Sequence, residues 1–91
     1  MQNLELQLRE EAQQGQSARQ LLDNALLREA FDQIESVITT QMKRTSVSEA
    51  ALHSHLVIAL QMLDAVQQAL VQYVETGSMA ETQLASLGET K

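Results

Sequence analysis

The residues here whose types and spacing could do chemistry are two histidines and a run of carboxylates. His53 and His55 are the only histidines. At i and i+2 on a helix they point to different faces, so they do not chelate one metal as an i, i+4 pair does. No His-Glu-x-x-His sequence accompanies them. They read as ordinary polar residues of a helix, although His55 falls beside an apolar seam, where a gained proton would matter to an interface. Glu29, Asp32 and Glu35 recur at helical spacing. Carboxylates so placed bind di-iron when Glu-x-x-His motifs on neighbouring helices complete the site. No Glu-x-x-His occurs here, and a solvated helix face is the simpler reading. Without cysteine there is no thiolate metal site and no disulfide framework. No glycine-rich phosphate loop is present. Met42, Met62 and Met79 read as gap-filling core or as adaptable contact surface rather than as a cofactor box. The expectation is a protein that is not an enzyme, with no catalytic, cofactor-binding or metal-ligating residue.

The elements that carry these residues are all helical. The chain has no proline, and nowhere do β-branched and polar residues alternate. Leu4, Leu8, Ala12, Gly15, Ala18 and Leu22 recur every three or four residues and predict a first helix over 3–22. Gly15 inside it costs about 1 kcal/mol against alanine, so this helix is expected to be the weaker one and to need a partner. Close approach of a second backbone is the less common use of such a glycine. Asn24 is a suitable N-cap for a second helix over 25–44, with Leu27, Phe31, Ile34, Ile38 and Met42 as its apolar stripe, widened by Ala30 and Val37. Ser46-Val47-Ser48-Glu49 is a capping box and predicts a third helix from 47. Thr76-Gly77 predicts its end at 76, with glycine at the position that favours a left-handed backbone. Ser78-Met79-Ala80-Glu81 then reads as a second capping box opening a short helix over 79–87. The fold expected is all-α: a single domain over 1–91, built as a long antiparallel helical hairpin with a weaker N-terminal helix and a short C-terminal one.

The third helix raises the question of what covers it. Leu52, Leu56, Ala59, Leu63, Val66, Leu70 and Tyr73 follow a strict 4-3-4-3 alternation, a heptad seam suited to packing on another helix at about 20°. A second stripe runs beside it through Ile58, Met62, Ala65 and Ala69, and a third through Leu60, Val71 and Val74. Only Gln61, Asp64, Gln68, Gln72 and Glu75 form a polar strip. A helix apolar over most of its circumference must be buried over most of it. One hairpin partner covers only part, so a second subunit or another protein is expected on the rest. The interface expected is Leu52, Leu56, Ile58, Ala59, Met62, Leu63, Val66, Leu70 and Tyr73. The alternative is that the first helix folds back and completes a monomeric three-helix bundle.

Charge narrows the partner. Twelve acidic and six basic residues give a formal net charge of −6 in 91 residues. Nucleic-acid backbones are bound by lysine and arginine, so no nucleic-acid partner is expected, and the acids are not massed on one face as a DNA mimic would need. The N-terminal MQNLELQLREE has no basic-then-apolar run and does not read as a signal peptide. LVIALQML is far short of the roughly 20 residues of a membrane span, so no membrane is expected either.

At LLDNALLREAFDQIE, residues 21–35, and at VETGSMAETQL, residues 74–84, the chain resembles a family of small helical proteins of tailed bacteriophages and prophages. Its pattern is a charged N-terminal helix, an Asn-Pro-Leu-Leu-like helix start, a long hairpin and a Thr-Gly-x-x-Ala-like turn. This chain departs at Ala25, where the pattern has proline. The family carries no assigned activity, so no functional residue is transferred. What the resemblance implies is a phage setting: a non-enzymatic protein working through helix-mediated contacts in virion assembly or as a minor virion component. Its partners would be a second copy of itself, another phage protein or a host protein, in the host bacterial cytoplasm or in the virion. The alternative is a small phage-encoded inhibitor or adaptor that binds a host protein, such as a defence component.

Overall fold

The structure, a computed structural model, describes residues 2–89 and is all-α over them. Helix α1 spans Gln2–Asp23, α2 Ala25–Arg44 and α3 Ala50–Glu89, with a 3-10 turn at Val47–Glu49 before α3. Two compact units divide the chain. Unit 1 joins α1 to the part of α3 from Ala69 onward, and unit 2 is Asn24–Gln68. A continuous stretch thus forms unit 2, while the segments on either side of it form unit 1.

The junction between α1 and α2 is one residue long. Asn24 is extended (φ −72°, ψ 116°), and its side-chain oxygen accepts from the Leu27 amide at 2.9 Å. That bond satisfies one of the donors a helix start leaves free. Replacing Asn24 with alanine is expected to cost about 1 kcal/mol, and Asn24→Ser to retain most of it. Thermal unfolding of the two variants, followed by circular dichroism, checks this.

At its other end α2 places Lys43 and Arg44 in the last turn, where cations meet the negative end of the dipole. Thr45 ends the helix by donating its amide to the Met42 carbonyl at 3.2 Å and its hydroxyl to the Gln41 carbonyl at 2.7 Å. The capping box forms as read: the Glu49 carboxylate accepts from the Ser46 amide at 3.3 Å and from the Ser46 hydroxyl at 3.0 Å. The predicted start at 47 is a 3-10 turn, and the α-helix proper begins at Ala50.

α3 then runs for 40 residues, straight through the predicted stop at Gly77. Gly77 has no positive φ, so it does not terminate the helix. The second capping box does not form either. Glu81 accepts from Gln16 Nε2 of α1 at 3.3 Å, and the Ser78 carbonyl accepts from the Thr82 hydroxyl one turn on at 3.1 Å. The short helix expected over 79–87 is therefore the last part of α3.

The reason lies in unit 1, where α1 and α3 run in opposite directions and their backbones touch. A Cβ built on Gly77 would stand 2.7 Å from Gly15 Cα and 2.9 Å from the Glu11 carbonyl oxygen. One built on Gly15 would stand 2.8 Å from Gly77 Cα and 2.9 Å from the Tyr73 carbonyl oxygen. Neither position accepts any side chain at this spacing. Small residues continue the contact: Ala18 and Ala80 are buried, as is Leu8. The α1 stripe is the one expected, with Ala12 and Leu22 half-buried and Leu4 left exposed. Gly15 therefore permits a helix crossing, the use judged less common from sequence.

Candidate protein-contact surface

Unit 2 buries little of its apolar material. Leu56, at 8 % exposure, is the one buried residue between Asn24 and Gln68. Around it Leu27, Phe31, Ile38 and Met42 of α2 and Leu60 and Leu63 of α3 are half-buried. Ile34 and Val37 of α2, expected in the stripe, are exposed instead. The middle of α2 faces α3 with Glu35, which lines a groove with Leu60, Gln61, Leu63, Asp64 and Gln67. Glu35 stands on the helical line of the half-buried Phe31, Ile38 and Met42, at the place expected for Ile34.

The covered stripe of α3 is turned by about one residue from the expected seam. It follows Leu56, Leu60, Leu63, Gln67, Leu70, Val74 and Gly77, each buried or half-buried. Leu60 and Val74 come from the stripe placed third in the sequence reading. The residues expected at the interface divide accordingly. Leu56 is buried within the chain, and Ala59, Leu63 and Leu70 are half-buried. Leu52, Ile58, Met62, Val66 and Tyr73 are exposed.

Within unit 2 this leaves apolar residues uncovered on both helices, Leu26, Ile34 and Val37 on α2 and a face around Met62 on α3. Met62 is 64 % exposed, Ile58 53 % and Val66 51 %. Residues at i±3 and i±4 are neighbours on a helix surface, so Ile58, Ala59, Ala65 and Val66 surround Met62. Between Glu49 and Glu75 the only formally charged residue is Asp64. Depletion of charge at an exposed apolar patch is the compositional mark of a protein contact. In unit 1 Tyr73 and Leu21 are likewise exposed and line an open groove rimmed by Glu10, Gln13 and Gln14.

Side chains suited to chemistry are not gathered. His53 and His55 are exposed, as are Glu29 and Asp32. Among the described residues no three histidine, cysteine or acidic side chains come together at metal-holding distance.

By length and composition α3 also contains a window long and apolar enough to cross a membrane, with mean hydropathy 1.2 and none of it buried in the chain. The sequence expectation of no such segment does not hold by that measure. Asp64 falls within that stretch, and an acidic residue at a bilayer centre costs about 2.5–3.5 kcal/mol on insertion scales.

No protein-family model, curated protein or solved structure matches this chain. The residues missed in the sequence reading are Gly15 and Gly77 as a contact pair, and Leu60, Gln67 and Val74 as covered positions. Their signal was present. Counting back from Gly77 by alternating steps of three and four gives Val74, Leu70, Gln67, Leu63, Leu60 and Leu56.

Proposed function

We propose that this protein acts without catalysis, through helix-mediated protein–protein contact, and that it is an oligomer. In this reading α2 and the first part of α3 form an antiparallel hairpin, and the outer face of α3 around Met62 is the contact. One observation carries it: Ile58, Met62 and Val66 stand more than half exposed on a stretch of helix whose one formal charge is Asp64. A tailed-phage setting, in virion assembly or as a minor component of the particle, rests on the resemblance of residues 21–35 and 74–84. The host bacterial cytoplasm or the virion is the matching location.

The test is solution mass by light scattering on a size-exclusion column, over a range of concentrations and at two salt levels. A defined oligomer is expected. It should strengthen with salt, because each copy carries a formal charge of −6 and the screening length falls from about 30 Å at 0.01 M to about 8 Å at 0.15 M. A chain monomeric under every condition would overturn self-assembly and turn the reading to the alternative, an inhibitor or adaptor that holds a host protein on the same face.

A further inference from the structure

We infer that Asn24 is a hinge that keeps α1 on its own chain, and that a straightened junction hands α1 to a second copy, where it makes the same crossing. The inference does not use the Met62 face. It starts from helical phase. The covered line of α1 runs through Leu8, Ala12, Gly15, Ala18 and Leu22, and that of α2 through Leu27, Phe31, Ile38 and Met42. Leu22 ends the first line and Leu27 begins the second, five residues on. On one unbroken helix of about 3.6 residues per turn, those two side chains would point roughly 140° apart. α3 is a single helix, and its covered positions keep one series from Leu56 to Gly77. Two lines so far out of phase serve one such series only if the helix between them is broken. Asn24 is that break, the single residue between the end of α1 at Asp23 and the start of α2 at Ala25.

The break is held locally. Asn24 is exposed, its backbone is extended, and its side chain accepts from the Leu27 amide at 2.9 Å. Position 25 is alanine, which continues a helix where proline would not. A helix continued through 24 would pair the amides and carbonyls that two helix ends leave free. It would also turn the α1 line away from the part of α3 that follows Ala69. Alone, α1 is marginal in water, at 22 residues with Gly15 in its interior. The surface that receives it is specific: a Cβ on either glycine of the crossing would stand 2.8 Å or less from the other glycine's Cα. A second straightened copy presents that same surface uncovered. Exchange of α1 between two copies therefore restores every contact of unit 1, and such domain swapping is a low-cost route to a dimer.

Gln16 and Glu81 are exposed and meet across the crossing, Nε2 to Oε1 at 3.3 Å, and the chain has no cysteine. Gln16→Cys is made on one copy and Glu81→Cys on another. The two are mixed in urea, refolded together and treated with a short bis-maleimide, and each variant treated alone gives the background. A link above background then reports α1 of one copy lying on α3 of another. With Asn24 in place, or with Asn24→Ser, which keeps a cap, the linked fraction should stay near background. Asn24→Ala in both copies should raise it at least about tenfold, through the lost cap and alanine's better helix propensity together. Adding Ala25→Pro to Asn24→Ala should return it to background. Proline fits the first position of a helix and the extended residue before it (ψ 116°), yet forbids a continuous helix. An Asn24→Ala pair that links no more than the Asn24 pair would overturn the inference, whether it keeps its helix content or loses it by circular dichroism. A linked fraction that Ala25→Pro does not lower would overturn it too, because exchange would then need no straightened junction.

Discussion

Gly15→Ala and Gly77→Ala are each expected to destabilise the protein by about 1–3 kcal/mol, the usual cost of overpacking a close contact. The sign is the informative part. Alanine is the better helix former by about 1 kcal/mol, so at an unconstrained helical position either change would stabilise. Here an added Cβ at Gly77 would lie 2.7 Å from Gly15 Cα, and one at Gly15 would lie 2.8 Å from Gly77 Cα. Backbone cannot swing aside as a long side chain can. The helices must separate, and Leu8, Ala18 and Ala80 then lose their cover. Gly88→Ala supplies the control, because a Cβ there meets nothing within 4 Å. It should be neutral or gain a few tenths of a kcal/mol, within the alanine–glycine propensity difference. Urea unfolding followed by far-UV circular dichroism measures all three. The double variant Gly15→Ala/Gly77→Ala should cost less than the sum of its parts, since the first methyl already opens the crossing. A stabilising Gly77→Ala would show that the two backbones do not touch in solution.

Ile58→Asp combined with Met62→Asp is expected to abolish assembly while leaving the helix content of the monomer nearly unchanged. Both positions are more than half exposed in the single chain, so the folded monomer loses little burial. Aspartate is a somewhat poorer helix former than isoleucine or methionine, by a few tenths of a kcal/mol per residue. In a self-contact the same changes place unpaired carboxylates in an apolar interface, where each costs several kcal/mol or forbids closure. The dissociation constant should rise by more than about a hundredfold, equivalent to roughly 2.7 kcal/mol. Val47→Asp is the matched control, adding one carboxylate at a fully exposed residue away from the face (100 % exposed). It should leave the mass unchanged. Assembly that survives the double change would exclude this face as the interface.

What was legible in the sequence was the local chemistry. α2 begins and ends where the Asn24 cap and the Lys43-Arg44 turn place it, and the Ser46–Glu49 box forms. These signals act within a few residues and need no knowledge of the rest of the chain. The apolar stripe of α1 was legible for the same reason. Gly77 was misread because Thr-Gly followed by a capping box is a sound local stop signal, and what overrides it lies far away in sequence at Gly15. A glycine ends a helix only when nothing holds it in helical conformation; here a second backbone does. The phase of the α3 seam followed from that misreading. With Gly77 excluded from the helix, the heptad series through Val66 and Tyr73 is the more apolar of two adjacent ones, because the other carries Gln67. The exposed face around Met62 was legible as excess apolar surface, but which part of that excess the chain itself covers depends on where its other helices lie.

The nesting of unit 2 between the two segments of unit 1 also sets an order of events during synthesis. α1 leaves the ribosome before unit 2, and the stretch of α3 that carries Gly77 leaves after it. At about 5–20 residues per second, α1 waits several seconds for the surface it packs on. An isolated helix of its length with an interior glycine is marginal in water, so during that interval it is largely unfolded. A chain lacking the stretch from Ala69 onward would therefore leave α1 without the surface it packs on, while unit 2 is continuous in sequence and keeps all of its own residues.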